Sequence, residues 1–378
     1  MANKKNQHFV PQYYFKLFNG KQSFISVLLI SKDRIVPSAS VSDQASKPYF
    51  YGDATVEDEV CLVENRLREN LFNIINAEAI NKKTKLDLIE YILYQEARTA
   101  KKRAETKSAF QVFEAFFDLS KSAKNISSAK AWHGQDKISE LNVDYTKWHW
   151  QQMLIALSST WSMSDLSCML IKNDTGWPFV FSDSPVVNVN HHMSNFANRG
   201  ILGSMSKGLI VVFPVSPTYC VVFYDSDVYR LKLPYARIFN KSSSVLSVTE
   251  SDVRIINYYQ YLNADSCVYS GNATSFEAFK GVSRPRSHTG FECAVDAVVD
   301  QPNDFVLKFH GAFNADMVFP ELPFFDYKKS KRFVRARPKP QKYYEKKLAK
   351  RAKLFEDPNF IRGLSGMSFE QVAAAMQV

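Results

Sequence analysis

"LIVVFPVSPTYCVVFY", residues 209–224, is the longest apolar stretch of the chain. It falls short of the roughly 20 residues that a membrane-spanning helix needs, and Pro214 and Pro217 interrupt it. Val-, Phe- and Tyr-rich flanks around two prolines describe two buried strands joined by a turn. No transmembrane segment is expected. The same grammar extends outward on both sides. From Cys168 on, "CMLIKND", "PFVFSD", "PVVNVN", "YCVVFYDSD" and "VYRLKL" are short apolar runs punctuated by Pro, Asn, Asp and Ser, which is the pattern of strands and hairpin turns.

Upstream of this region the period changes. In Thr55–Ala79, Val56, Val60, Val63, Leu67, Leu71 and Ile74 recur at steps of three and four, behind Thr55 as N-cap, so a helix is predicted. A second helix is expected over Lys85–Leu119, with Leu86, Ile89, Leu93, Ala97 and Ala100 on one stripe; its length implies a kink or break. A third covers Thr146–Ser162, after a polar segment at Lys121–Gly134. "SFISVLLISKD" (Ser23–Asp33) reads as a short strand pair. A last helix is expected over Glu250–Cys267, capped by Ser251, with Val253, Ile256, Tyr259 and Leu262 on one face. The fold class is therefore α+β: a helical layer at about 54–165 packed on a mainly antiparallel sheet at about 166–310. Residues 1–320 are expected to form one domain, and residues 321–378 a basic, partly helical C-terminal extension.

The chain has 378 residues, 46% of them hydrophobic, enough for a sizeable core. Its 13 glycines include neither GxGxxG nor GxxxxGK[ST], which argues against a phosphate-cradling glycine loop. Five scattered cysteines without a CxxC pair point to reduced thiols, and adjacent His191 and His192 lack metal-ligand spacing. "MANKKNQ" has no apolar signal-peptide core behind it, so a cytoplasmic location is expected. The net charge of +10 is concentrated: Lys328–Lys353 holds 13 Lys or Arg and one acid, while the remainder, with 35 bases and 37 acids, is near neutral.

Four places carry polar residues that packing alone does not demand. They are His8 with Gln12, Glu57 with Glu64, Gln95 with Arg98, and Asp183 in "FVFSDSPVV". Glu57 and Glu64 share a helix face, as do Gln95 and Arg98, so two packed helices could present carboxylate, amide and guanidinium groups to one cleft. Solvated helix faces explain the same spacing, and an Asx turn before proline explains Asp183.

Taken together, these segments resemble a widespread bacterial family, domain-of-unknown-function family 4238. "HFVPQYYFKLF" (His8–Phe18) is similar to its HxVPxxYLxxF signature. "LVENRL" (Leu62–Leu67) and "LYQEART" (Leu93–Thr99) are similar to its Glu and Gln-x-x-Arg-Thr helical segments. "WPFVFSDSPVV" (Trp177–Val187) resembles its F-x-T-S-D-x-P turn, "FPVSPTYCVVF" (Phe213–Phe223) its F-P-L-S-P strand, and "INYYQYLNADSCVYS" (Ile256–Ser270) its Asn-containing helix, here with Asn257. The chain departs from the pattern at Phe181, where Thr is usual, and at Ala100, where Pro is usual, so the second helix is expected to run on. The resemblance implies a buried N-terminal segment that places His8 and Gln12 in a cleft with Glu64, Gln95, Arg98 and Asp183.

Two functions follow as expectations. The first is an intracellular phosphodiester hydrolase acting on RNA or DNA. His8 would be its general base or acid, Arg98 would stabilise charge on phosphate, and Asp183 or Glu64 would orient the histidine or bind a divalent cation, magnesium being the candidate. The extension would add affinity through Lys328, Lys329, Lys331, Arg332, Arg335, Arg337, Lys342, Lys346, Lys347, Lys350 and Arg351, with aromatic residues interleaved. A role in anti-phage defence or as a toxin is an analogy from the family resemblance. The alternative is a non-catalytic nucleic-acid-binding, sensor or adaptor module in which the polar cluster is a hydrogen-bond network holding the fold.

Overall fold

The computed structural model describes residues 6–52, 54–106, 145–282, 290–301, 304–314 and 319–355. Its elements, in chain order, are β1 (Asn6–His8), α1 (Gln12–Phe18), β2 (Phe24–Leu29), β3 (Arg34–Ser40), β4 (Ser46–Pro48), α2 (Ala54–Ala77), α3 (Lys82–Ala97) and α4 (Tyr145–Leu157). There follow β5 (Ser167–Lys172), β6 (Phe181–Ser182), β7 (Val187–Val189), β8 (Ile210–Pro214), β9 (Tyr219–Tyr224), β10 (Arg230–Leu231), α5 (Leu233–Ile238) and β11 (Val245–Ser247). The chain closes with α6 (Glu250–Asn263), β12 (Cys267–Ser270), β13 (Gly290–Gln301), β14 (Asp304–Asn314), β15 (Phe325–Asp326) and α7 (Pro338–Phe355). This is an α+β fold. The 209–224 stretch is the antiparallel pair β8 and β9, with Ile210 opposite Tyr224 and Pro214 opposite Cys220. Its turn is closed by the Val215 and Ser216 amides, which donate to the Tyr219 carbonyl at 2.8 and 3.1 Å. Among the described residues no helix is long and apolar enough to cross a membrane.

The strands form more than the one sheet expected. A five-stranded sheet runs β11-β5-β9-β8-β7, antiparallel except for the parallel β11–β5 pair, and a four-stranded antiparallel sheet runs β3-β2-β12-β6. The N-terminal hairpin β2–β3 thus joins strands from more than 140 residues later, a pairing that local sequence patterns cannot show. The long hairpin β13–β14 pairs only with itself in the described residues.

Helix α2 buries Val60, Leu67, Leu71 and Ile74, as its period predicts. It begins at Ala54, so Thr55 lies inside it. Helix α3 starts earlier than expected because Asn81 forms a capping box with Thr84; Leu86 is exposed, and the buried face is Leu88, Ile89, Tyr91, Ile92 and Leu93. The chain leaves the helix at Arg98 and Thr99 and is helical again from residue 100. Ala100 therefore does not let the helix run on: the Thr99 hydroxyl accepts from the Lys102 amide at 3.2 Å and caps a new start. The rest of the predicted Lys85–Leu119 helix, the polar Lys121–Gly134 segment and residues 356–378 lie outside the described residues. Helix α6 is capped by Thr249, not Ser251, because the capping box needs an acid three residues on and Asp252 supplies it.

Helix α1 sits where the two sheets meet. Tyr14 stacks on Phe213 of one sheet (5.5 Å between centroids) and meets Phe181 of the other edge-on at 4.9 Å. Phe15 packs on Phe181 and Tyr269, and Phe18 on Phe181. Such pairs add about 0.5–1.5 kcal/mol each beyond area burial. Close approach here requires a glycine: a Cβ on Gly271 would lie 2.4 Å from the Phe18 carbonyl oxygen. The aromatic N-terminal segment is core.

Candidate functional site

Helix α3 grips the N-terminal segment by its backbone. Gln95 donates to the Phe9 carbonyl at 3.0 Å, and Arg98, one turn on, donates through Nη2 to the His8 carbonyl at 2.5 Å. Arg98 is 1% exposed, and two of its guanidinium nitrogens are held: Nε donates to the Tyr51 hydroxyl at 3.0 Å, and Nη2 also pairs with Glu64 Oε1 of α2 at 2.5 Å. The Tyr94 and Tyr51 rings lie 5.5 and 5.8 Å from its central carbon. Burial opposes the charge, but Glu64 and the tyrosines hold the Arg98 pKa well above its ordinary value. Tyr51 completes the clamp by donating to the same His8 carbonyl at 3.1 Å, while its own amide donates to Gln7 Oε1.

What the clamp uses of His8 is the carbonyl, and the ring is left to other contacts. Nε2 lies 3.1 Å from the Ser42 carbonyl, an acceptor only, which selects the tautomer protonated at Nε2 and leaves the lone pair on Nδ1. Gln12 approaches the same nitrogen at 3.4 Å. Burial and the Arg98 charge lower the ring's pKa, against the Ser42 bond and Glu64, so the half-buried imidazole is neutral near pH 7. Beside it, the Tyr13 hydroxyl donates to Tyr91 at 3.2 Å. His8, Gln12, Glu64, Gln95 and Arg98 are therefore brought together.

Asp183 belongs elsewhere. Its carboxylate accepts from three successive backbone amides, Asp265, Ser266 and Cys267, at 2.8, 2.7 and 3.1 Å, and so caps the turn between α6 and β12. Burial pushes its carboxyl up to about 6, against the pull of those bonds. Asn257 is also structural: its side chain accepts from the Val180 amide and donates to the Pro178 carbonyl, both at 2.9 Å. Gln260 and Asn263 continue the row. Gln260 bonds the Ser182 amide and the Pro185 carbonyl, and Asn263 the carbonyls of Ser184 and Val186. One face of α6 thus satisfies the backbone of residues 178–186, where β6 is only two residues long. Asp183 thus bonds to the Asp265–Cys267 amides and to none of the cluster around Arg98, and with Glu64 held by Arg98 the carboxylates named for a cation are engaged separately. Among the described residues no group of three or more His, Cys, Asp or Glu could hold a metal ion.

The basic extension divides in two. Phe319–Arg337 is a strap on the body: β15 pairs with β10, the Ser330 amide donates to the His192 carbonyl at 2.7 Å, and His192 Nδ1 donates to the Lys328 carbonyl. Arg337, expected to face nucleic acid, is 2% exposed and chelates Asp165 through Nε and Nη2 at 2.9 and 3.1 Å. It is an anchor because three carbonyls, Ser162, Ser204 and Ser206, converge on the same guanidinium at 2.6–2.8 Å. By contrast Lys328, Lys329, Lys331, Arg332, Arg335, Lys342 and Lys346 are exposed and Lys347 half-buried. Lys350 and Arg351 belong to the last turns of α7.

Residue patterns gave no hint of Tyr51, Gln260, Asn263 or the Asp165–Arg337 pair, whose partners are 43 to 172 residues away. They also missed His149, whose buried ring donates from Nε2 to the Ala97 carbonyl at 3.0 Å and which burial pushes down to about 4. No curated protein and no solved structure matches the chain. A family model described as "Protein of unknown function (DUF4238)" matches residues 6–274, which includes both the α3 clamp on the N-terminal segment and the α6 amide row. With well over half of its length matched, the chain belongs to that family.

Proposed function

We propose that the protein binds nucleic acid through the exposed basic surface of its C-terminal strap and helix α7, and that the polar cluster around Arg98 is structural. The observation that carries this is the contrast between two sets of cations. Arg98 and Arg337 are buried and paired with carboxylates of the protein. Lys328, Lys329, Lys331, Arg332, Arg335, Lys342 and Lys346 are exposed, and none makes an ion pair with a described residue. With Lys339, also exposed, these make eight exposed cations within 19 residues, which on a segment tied to a near-neutral body favour a polyanion whose charges repeat along a chain.

The test is fluorescence anisotropy with labelled RNA and DNA over a salt series, on the parent and on a variant with Lys328, Lys329, Lys331, Arg332 and Arg335 changed to Gln. Each phosphate contact contributes roughly 0.7–0.9 to the slope of log K against log salt, so five lost contacts flatten the slope by about 4. An unchanged affinity and slope in the variant would overturn the proposal.

One observation favours a second reading, hydrolysis of a phosphodiester at His8. Its ring is the member of the cluster that the clamp does not use, and a backbone carbonyl fixes it in the neutral tautomer a general base needs. Cleavage of labelled RNA or plasmid DNA by the parent, lost in His8→Ala at unchanged melting temperature, is its signature; parallel lanes with magnesium and with EDTA decide whether a cation serves it.

A further inference from the structure

The basic surface is interleaved with aromatic rings held in place but incompletely covered. Tyr343 and Tyr344, on the first turns of α7, are 43% and 44% exposed. Both lie against Trp161, in the short turn Thr160–Ser162, with centroids 4.9 and 6.2 Å away and interplanar angles of 31° and 14°. The Lys347 ammonium sits 5.5 Å over the Tyr343 ring. Earlier on the same segment Phe333 meets Phe196 at 6.0 Å, and the Arg199 guanidinium lies 5.4 Å over it. The Arg337 anchor separates these two aromatic–cation groups and fixes the start of α7.

We infer, on the reading that this surface binds nucleic acid, that its ligand is single-stranded, with bases stacking on Tyr343 and Tyr344 and phosphates on the flanking lysines. Exposed aromatic residues beside ammonium groups are what an unpaired strand can use, because its bases expose π-faces that a duplex hides between neighbouring pairs. A surface serving only phosphates has no need of them. Residues recruited only to pin α7 would be buried against Trp161, and both of these tyrosines are more than two-fifths exposed.

The experiment compares labelled oligo(U), oligo(dT) and a duplex of equal length by anisotropy at one salt concentration, with the parent, with Tyr343→Leu/Tyr344→Leu, and with the five-Gln strap variant. Leucine keeps apolar contact with Trp161 but presents no π-face, and a thermal melt confirms that α7 stays docked. The expected result is single strands bound at least tenfold tighter than duplex. In the Leu variant single-strand affinity falls roughly five- to hundredfold with the salt slope unchanged, because stacking releases no counterions. Equal binding of single strand and duplex, or a Leu variant that binds as the parent does, overturns the single-strand inference alone. Undiminished binding by the five-Gln variant instead overturns the assignment of nucleic-acid binding to this surface. Binding to anionic lipid vesicles with no nucleic-acid binding sinks both and makes α7 a membrane-surface helix. The oligo(U) and oligo(dT) arms separate RNA from DNA.

Discussion

Replacing Arg337 by methionine removes one positive charge and five hydrogen bonds while keeping most of the side-chain volume. Two of those bonds go to the Asp165 carboxylate and one each to the carbonyls of Ser162, Ser204 and Ser206. The Asp165 side chain is only 11% exposed, so the variant leaves a largely buried carboxylate without its cation. Breaking one partner out of a buried pair costs about 3–5 kcal/mol. In a domain of this size each kcal/mol lowers the melting temperature by about 2–3 °C, so the expected fall is about 6–15 °C. Changing Asp165 to Asn in the same chain removes the stranded charge and should recover part of that loss. Should the strap detach as a local unit, trypsin will cut within Lys328–Arg335 well below the main transition. Differential scanning fluorimetry and timed proteolysis read both effects. A variant with the parent's melting temperature and tryptic pattern, but with weakened nucleic-acid binding, would refute the anchor and restore Arg337 to the binding surface.

Arg98→Met should cost a similar 3–5 kcal/mol, seen as a lower urea midpoint, because Glu64 and the His8 carbonyl lose their shared partner; an unchanged midpoint would mean that the clamp does not hold the N-terminal segment. Asp183→Asn places an amide donor against three backbone donors and should cost about 2–4 kcal/mol by the same measurement, with a neutral result removing its role as a turn cap. His8→Ala should cost less than about 1 kcal/mol, since the clamp takes the carbonyl and not the ring, and a loss several times larger would make the ring a structural part. On acidification the protein should weaken. Burial pushes His149 and His191 down to about 4 from 6.5, so each contributes stability that is complete above pH 6.5 and lost as pH falls towards 4, about 3 kcal/mol apiece. Asp183, raised from 3.8 to about 6, acts in the opposite sense, its burden easing below pH 6. Two rings outweigh one carboxyl, and melts that rise between pH 6.5 and 4.5 would contradict the balance.

The local elements were legible because their signals are local. The six-residue stripe of α2 and the proline-broken pair β8–β9 are settled by periods of a few residues, and both are present. Helix α6 buries the predicted Val253, Ile256, Tyr259 and Leu262. What was hidden depends on distant pairing. The β2–β3 hairpin adds to β12, some 240 residues on, and an isolated hairpin looks the same whether or not it has such a neighbour. The site shows the same division. Gln95 and Arg98 were visible as neighbours on a helix, but their targets are backbone carbonyls, which every residue carries and no side-chain pattern marks. Asp183 misled for a related reason: a carboxylate at a strand end can hold a histidine or cap three amides, and the turn at Asp265–Cys267 that decides between them is 82 residues away.

Both amide-and-arginine devices solve one physical problem, an extended segment whose backbone lacks enough strand partners. At the N-terminus β1 pairs with only three residues of β4, and Gln95 and Arg98 take up the carbonyls of Phe9 and His8 that follow. At residues 178–186, with β6 only two residues long, Asn257, Gln260 and Asn263 perform the same task from α6. A buried carbonyl left unpaired costs about 1–3 kcal/mol, so each row stabilises the irregular path it serves. The requirement accounts for Gln95, Arg98, Asn257 and Asp183 without any reaction. It does not account for the His8 ring, which is neutral, half-buried and held by one carbonyl, nor for the exposed cations and tyrosines of the C-terminal segment. Function is therefore to be sought in those groups that the fold itself does not use.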